Sequence, residues 1–425
     1  MKIADKIIFI LLFGFILFVS LNRHSRHPRF EYHSQIFSDK AGYHVYLPAF
    51  FYYDMDASQM PDSMAYKVGT GFSTHNYKIV TKYPIGVAVL HAPFFGVAAA
   101  LDALQGETEY LGYTENQFVA TNWSSAFYVS IGLLVLFLIA TRHWDLSRGQ
   151  AYLLLLLVFG CTNLLYYSTR DGAMSHSYSF FCLSAFLYFI YKAVYEQSGW
   201  QDLAKAIAIL LLAVSIRHVN VVFLAIVCVY LLHKHLDIWK KIKANDWIRA
   251  IGFGVVIGII PLALQLVYNQ YAFGSFSVSG YENESFSNWN NIKLFELWFA
   301  PGNGALLYSP TILIAVVSAT FYFKRDKTLL YFVGLFMAIS LLYAAWWTPQ
   351  LGCGFGNRGF TEFLVFFSIP LALLIKNTSS KMNKFTTVVG VVFTVYLFIL
   401  QWNFDGCWYG DGLWDWREYW RLFRV

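Results

Sequence analysis

Residues 6–21 have the sequence KIIFILLFGFILFVSL, which is apolar and long enough to cross a membrane as a helix. Lys2 and Lys6 flank its start and no small-residue cleavage site follows Ser20, so we predict a retained signal anchor with a cytoplasmic N-terminus. Of the 425 residues, 57% are hydrophobic and only 13% are charged, against about 25% in soluble domains. The sequence therefore predicts an integral membrane protein and excludes a soluble enzyme with one anchor.

Ten further apolar windows of about 20 residues follow the anchor, so the predicted fold is an all-α polytopic membrane protein with about eleven transmembrane helices. These windows lie near residues 118–140, 150–168, 177–195, 203–216, 219–233, 250–270, 305–323, 328–347, 360–376 and 385–403. We predict one membrane domain, composed of the anchor (1–21), a long outer loop (22–117), ten further spans (118–403) and an outer aromatic tail (404–425).

One more apolar run, at 84–104, is ambiguous, because counting it as a crossing would invert the sidedness of every later loop. Without it, the inner loops carry clusters of Lys and Arg, and four later outer loops carry one basic residue each: Arg170, Arg217, Lys293 and Arg358. This distribution follows the positive-inside rule, although the arginines directly after the first span oppose it. The run, which Pro93 interrupts, is therefore predicted to form one or two surface or re-entrant helices in the first outer loop.

The predicted sidedness places almost all unusual polar residues at the outer face, where carboxylates and isolated arginines occur together. Carboxylates can serve as bases or metal ligands, and arginines bind phosphate, so this combination suits a phosphate-linked, sugar-like substrate. The net charge of +6 contains no basic block dense enough for a nucleic acid partner.

Asp39 lies in the segment FSDKAGYH (37–44), just beyond the first span. A carboxylate at this place can act as general base on an acceptor hydroxyl. Alternatively, Ser38 or Asp39 caps a helix from about 40 to 53, and the local sequence alone favours this cap.

The outer turn STRDGAMSH (168–176) is predicted to bring the carboxylate of Asp171 close to the imidazole of His176. The alternative is a turn in which Asp171 caps the next helix, and the local sequence leaves both readings open. A second outer turn begins with Arg217 and His218 between two short spans, so it is predicted to lie below the membrane surface. Burying an arginine there costs free energy, so it points to a functional role.

The segment GCGFGNRG (352–359) contains the pattern GxGxxG, but no βαβ unit surrounds it, so it does not predict a dinucleotide site. Its glycines are predicted to let backbone N–H groups and Arg358 approach an anion at the start of the next helix. The alternative is a flexible loop between spans. Five cysteines without CxxC spacing argue against a zinc site, but Cys353 and Cys407 are both predicted outside and are candidates for a disulfide.

The order of these features resembles the GT-C superfamily of membrane glycosyltransferases, near the bacterial relatives of protein O-mannosyltransferases and of the lipid A aminoarabinose transferase. The resemblance implies that Asp39 is the catalytic base and that Asp171 matches the acidic residue of the second outer loop. It also implies a set of residues that bind substrate or phosphate: Lys82, Tyr83, His176, Arg217, His218 and Arg358. Lys40 replaces the usual second carboxylate. The resemblance therefore leaves a requirement for a divalent metal open and implies no other cofactor.

The resemblance further implies transfer of a hexose or pentose from a polyprenyl-phosphate-linked donor to a lipid, polysaccharide or protein acceptor, with inversion. The implied location is the bacterial inner (plasma) membrane, with the site on the periplasmic or extracellular side. The alternatives are a lipid or sugar transporter or flippase, and a polysaccharide polymerase or ligase. Transporters tend to carry midplane charges and internal repeats, of which the sequence shows little sign.

Overall fold

The chain folds into helices over nearly its whole length in this computed structural model, which describes residues 2–196, 199–276 and 284–424. The first ten helices are α1 (Ile3–His24), α2 (Asp39–His44), α3 (Tyr46–Phe51), α4 (Met64–Lys67), α5 (Gly86–Gln105), α6 (Glu115–Arg142), α7 (Arg148–Leu155), α8 (Leu164–Thr169), α9 (Ser175–Tyr195) and α10 (Trp200–Ile216). The others are α11 (Asn220–Lys234), α12 (Leu236–Trp239), α13 (Ala244–Phe273), α14 (Leu294–Phe299), α15 (Ala305–Tyr308), α16 (Pro310–Tyr322), α17 (Leu330–Ala344), α18 (Leu364–Asn377), α19 (Ser380–Asn403) and α20 (Trp416–Arg421).

Shorter elements complete the described part of the chain. A π-helical turn follows α7, and three 3₁₀ helices occur elsewhere: the π turn covers Leu156–Gly160, and the 3₁₀ helices cover Ala57–Gln59, Lys327–Leu329 and Arg358–Phe363. Strands β1 (Ser73–His75) and β2 (Lys78–Val80) pair antiparallel in the first loop and form the only sheet within the described residues.

The predicted spans are all helical, which confirms the prediction of an all-α polytopic membrane protein. Eight helical segments of the described chain are long and apolar enough to cross a membrane, by length and composition, and three shorter apolar helices accompany them. Two predicted spans are interrupted. The span at 150–168 breaks between the π turn and α8, and the span at 305–323 breaks at Ser309, between α15 and α16.

The ambiguous run at 84–104 forms the single helix α5, which is one of the eight long apolar helices. It lies antiparallel to α6: the Leu90 carbonyl accepts a hydrogen bond from Tyr128 at 2.7 Å, and the Asp102 carboxylate accepts from Thr114 at 2.8 Å. Thr114 precedes α6 and Tyr128 lies at its middle, so these contacts involve the N-terminal half of α6.

The two interrupted spans meet at Asn163, which is almost fully buried. Its side-chain carbonyl accepts hydrogen bonds from Ser309 at 3.2 Å and Thr361 at 3.1 Å, and its amide donates to the Phe355 carbonyl at 3.3 Å. Irregular backbone at membrane depth requires such internal partners. Asn163, at one of the two breaks, therefore holds the glycine-rich segment that carries Arg358.

Helices α10 and α13 approach each other through glycines. A Cβ atom added at Gly254 would lie 2.7 Å from the Ala204 carbonyl oxygen, and one at Gly258 would lie 2.8 Å from the Ala208 Cα atom. Only glycine permits this backbone contact, which is how GxxxG patterns act in membrane helices.

The C-terminal tail is bound to the glycine-rich segment. Cys353 and Cys407 form a disulfide, as predicted, with their Cα atoms 4.5 Å apart. The Tyr32 hydroxyl of the first loop lies 2.9 Å from the Cys407 Sγ atom. The first loop, the glycine-rich segment and the tail thus meet at one end of the bundle, which we call the site end.

Candidate active site

Asp39 is the first residue of α2, and its carboxylate is shared between two partners. The Tyr83 hydroxyl donates to Oδ1, and the Arg358 Nη2 atom lies 2.9 Å from Oδ2. Neither Ser38 nor Asp39 caps α2 with its side chain, so the capping interpretation is wrong. Gly42 makes the Tyr83 contact possible, because a Cβ atom there would lie 2.1 Å from the Tyr83 ring.

The environment keeps Asp39 ionised. Burial raises the pKa of its carboxyl, but the charges of Arg358 and Lys82 and the Tyr83 hydrogen bond lower it more, so the pKa lies below its ordinary value. At neutral pH the group is a carboxylate, the form that a general base requires. Both of its oxygens are engaged in this structure.

Asp171 forms a second ion pair beside the first. Its Oδ1 atom lies 3.1 Å from Lys40 Nζ, and both side chains are mostly buried. Helix α9 begins after Met174 without a side-chain cap, so the capping interpretation of Asp171 is also wrong. Burial raises the pKa of Asp171, but Lys40 and Arg170 lower it further, so the net pKa is depressed.

Glu362, which the sequence analysis did not single out, is the centre of a third network. Its Oε2 atom lies 2.8 Å from His176 Nδ1, and its Oε1 atom accepts from Arg217 at 2.5 Å. Arg217 also donates to the Tyr343 hydroxyl at 3.0 Å. His176 thus contacts a fully buried carboxylate that lies 186 residues away in the sequence.

The sequence did contain a signal for Glu362. It is the one carboxylate inside the predicted span at 360–376, and an acidic residue inside a membrane span is rare and points to a partner or a function. Within the same network the Arg217 side chain is mostly buried, at 15% exposure.

The remaining two candidates lie outside these networks. Lys82 forms an ion pair with Glu284, so it links the first loop to the later loop that ends at α14. His218 is exposed, and within the described residues its side chain has no hydrogen-bond partner.

A cavity of about 280 Å³ opens over the first two ion pairs. Its charged lining residues are Asp39, Lys40, Arg170, Asp171 and Arg358. Tyr32, His33 and Met174 lie in its wall as well. The lining thus combines three cations, two carboxylates and aromatic surface in a space near the lower limit of small-molecule sites. In the described part of the chain, no group of three or more His, Cys, Asp or Glu side chains could hold a metal ion.

The apolar helical bundle, with the first loop packed at one end, is similar in fold to the GT-C membrane glycosyltransferases. The chain is similar to ArnT from Cupriavidus metallidurans bound to undecaprenyl phosphate, with a TM-score of 0.54 and 11% identity over 94% of this chain and 71% of that one. It is also similar to the Archaeoglobus fulgidus oligosaccharyltransferase in the apo form (TM-score 0.53, 10% identity).

A further similar structure is AglB from Archaeoglobus fulgidus in complex with an inhibitory peptide and a dolichol-phosphate, with a TM-score of 0.54 and 9% identity. This chain is covered over 94% in both archaeal comparisons but spans only 56% of the archaeal chains. No family model and no curated protein sequence matches the chain. The relationship is therefore one of fold.

Proposed function

We propose that the protein transfers a hexose or pentose from a polyprenyl-phosphate-linked donor to a hydroxyl of a lipid, polysaccharide or protein acceptor on the outer face of the membrane. The observation that carries this proposal is the Asp39 carboxylate, which lines a polar cavity and is held by Arg358 and Tyr83. The shared fold supports it, because similar structures contain undecaprenyl phosphate or dolichol-phosphate.

In the proposed reaction, the donor phosphate engages Arg358, since guanidinium and phosphate form strong bidentate hydrogen bonds. The acceptor hydroxyl then lies against Asp39 and attacks the anomeric carbon from the face opposite the phosphate. A carbon–oxygen bond to the acceptor forms and the bond to the phosphate oxygen breaks, with inversion. Asp39 takes the hydroxyl proton, and polyprenyl phosphate leaves.

Binding of the donor also prepares the base. Arg358 is the strongest of the influences that lower the pKa of Asp39, whereas burial raises this pKa. A phosphate that draws the guanidinium away from Oδ2 frees one carboxylate oxygen and raises the pKa of the base. The proposal thus couples donor binding to base strength through a single ion pair.

Arg217 is proposed as the second cation for the departing phosphate. Glu362 and Tyr343 hold its guanidinium from two sides, so it is already oriented when charge develops on the leaving group. Such preorganised charges are most effective where little water is present. His176 contacts the same carboxylate and is proposed to help orient it.

The test uses purified protein in nanodiscs with a panel of short-chain polyprenyl-phosphate hexoses and pentoses. For Asp39→Asn we expect donor binding to persist while transfer or donor hydrolysis falls about 10²- to 10⁴-fold, the usual contribution of a general base. Asp54→Asn is the matched control, because Asp54 is an exposed aspartate of the same loop.

If Asp39→Asn transferred the sugar at the wild-type rate, another group would be the base. Failure of the wild-type protein to bind any donor would instead favour the transporter alternative. Retained hydrolysis that requires the arginines but not Asp39 would favour a polymerase or ligase.

A further inference from the structure

The cavity contains a cation that the proposed reaction does not use. Lys40 and Arg358 are both ion-paired there, but Arg170 makes no ion pair within the described residues. Its side chain is almost buried, at 7% exposure, and its Nη1 atom has no hydrogen-bond partner in the described part of the chain. Arg170 nevertheless belongs to the lining of the cavity.

A neutral histidine holds this arginine. The Arg170 Nη2 atom donates to His33 Nδ1 at 2.9 Å, so the ring proton of His33 resides on Nε2, which lies 3.0 Å from the Asp405 carboxylate. Burial and the nearby Arg170 lower the pKa of His33 to about 4, although Asp405 acts in the opposite direction. An uncharged imidazole orients the guanidinium without neutralising it.

The charge of Arg170 is only partly compensated, because the neighbouring Asp171 carboxylate, which interacts with it, is ion-paired to Lys40. Asp405 contacts Arg170 through His33 and is 59% exposed, so its field is screened by solvent. A nearly buried charge without a direct ion pair is costly. The arrangement has the properties of an anion site, in which a ligand supplies the missing negative charge.

The position of Arg170 separates it from the donor phosphate site. Asp39 is followed in sequence by Lys40, Arg170 is followed by Asp171, and Lys40 and Asp171 are ion-paired to each other. The Lys40–Asp171 pair thus links the segment of the base to the segment of Arg170, and all four residues line the same cavity. An acceptor whose hydroxyl meets Asp39 would have Arg170 in the wall of the same cavity.

We propose that Arg170, oriented by His33, is an anion-binding subsite for a phosphate or carboxylate group of the acceptor, distinct from the donor phosphate. This inference rests on the proposed function for the identity of the ligand, but not for the existence of the subsite. It predicts that acceptors are anionic close to the hydroxyl that receives the sugar.

The test follows phosphate binding by ³¹P NMR in nanodiscs, with farnesyl phosphate as the donor-phosphate probe and inorganic phosphate as the second probe. We expect the wild-type protein to bind inorganic phosphate while saturated with farnesyl phosphate. Arg170→Gln is expected to weaken the inorganic phosphate about ten- to hundredfold, the scale of a charged hydrogen bond, and to leave farnesyl phosphate affinity unchanged.

Two further variants make the result specific. Arg26→Gln is the matched control, because Arg26 is an exposed arginine of the first loop that does not line the cavity, and no change is expected. Arg170→Lys keeps the charge but loses the planar fork that meets His33, so an intermediate loss is expected. It also covers the case in which Arg170→Gln does not fold.

Two outcomes would overturn the proposal. One is the absence of inorganic phosphate binding to the farnesyl phosphate-saturated protein. The other is an equal loss of farnesyl phosphate affinity in Arg170→Gln and Arg358→Gln, which would assign Arg170 to the donor. If farnesyl phosphate does not bind but inorganic phosphate binds in an Arg170-dependent manner, the proposed function fails and the subsite remains.

Discussion

Arg358 and Glu362 lie four residues apart in one short 3₁₀ helix, yet they belong to networks of opposite character. Arg358 meets Asp39 at the cavity, where the two side chains are 19% and 27% exposed. Glu362 meets His176 and Arg217 and is fully buried. A ligand can displace the first pair, because both of its side chains are partly exposed, whereas in the second network Glu362 is fully buried and only Arg217 keeps 15% exposure.

The supporting structure differs in the same way. Arg358 follows a segment rich in glycine, which the Cys353–Cys407 disulfide and the buried Asn163 side chain hold in place. Glu362 is flanked by buried Phe360 and Phe363 in the helix itself. The Asp39–Arg358 pair can therefore exchange partners, whereas the Glu362 network holds a cation in place.

The largest effect is expected from Glu362→Gln. Removing this charge leaves buried Arg217 without its counter-ion, and breaking a buried pair in this way costs about 3–5 kcal/mol of unfolding free energy. Asp39→Asn should cost about 1 kcal/mol or less, because the cavity hydrates Arg358. Thermal and denaturant unfolding in matched nanodiscs compares the two variants. Equal destabilisation by both would contradict the distinction between the networks.

The second effect concerns the disulfide. Replacing Cys353 and Cys407 by Ser opens a link across 54 residues, and loss of such a crosslink typically costs about 2–4 kcal/mol. Because the link holds the Arg358 side, we expect donor affinity to fall as well. The cost of Glu362→Gln should be the same with and without the disulfide, since independent sites are additive. Strong non-additivity in unfolding measurements would show that the two networks are one unit.

The sequence was sufficient for the fold because each span is an apolar window whose signal is local. The interruptions were not predictable in the same way. They depend on hydrogen bonds between Asn163 and Ser309, which are 146 residues apart, and no local pattern encodes such a pair. The single helix α5 also depends on packing against α6, which compensates for Pro93 within it.

The site was predictable as a set of residues but not as a set of contacts. The sequence singled out Asp39, Asp171 and Arg358, which line one cavity, but helix-capping preferences gave the wrong alternative for the two carboxylates. Capping is decided within a few residues, whereas Lys40 and Asp171 are 131 residues apart. The structure brings Asp39, Lys40, Asp171 and Arg358 together, and it adds Glu362 behind them.

A third prediction uses the pH dependence of transfer to separate the effect of Arg358 on the pKa of Asp39 from the effect of burial. Removing the arginine removes the strongest of the influences that lower the pKa of Asp39 while burial still raises it, so Arg358→Gln should raise this pKa and move the acidic limb of the transfer rate to higher pH. The pH profile of single-turnover transfer between pH 4 and 8 measures this shift. An unchanged acidic limb would exclude Asp39 as the titrating base.

The same ion pair has a definite effect on stability. In the wild type the folded pKa of Asp39 lies below the unfolded value of about 3.9, so the pair stabilises the fold above that pH and is lost as the pH falls through the folded pKa. In Arg358→Gln the folded pKa of Asp39 is expected to rise toward the unfolded value, so less of this stabilisation is present at neutral pH. Unfolding midpoints at pH 4 and pH 7 give the comparison.

The last comparison is the Lys40–Asp171 pair, whose exposure of 9% and 20% is intermediate between the two networks. A double-mutant cycle of Lys40→Met and Asp171→Asn should give a coupling of about 1 kcal/mol in unfolding free energy. Asp171→Asn should slow transfer less than Asp39→Asn. In the wild type Asp171 stays paired with Lys40, whereas the donor phosphate can draw Arg358 away from Asp39 and free it to act as the base. Equal losses of transfer in both variants would mean that the two carboxylates act in the reaction together.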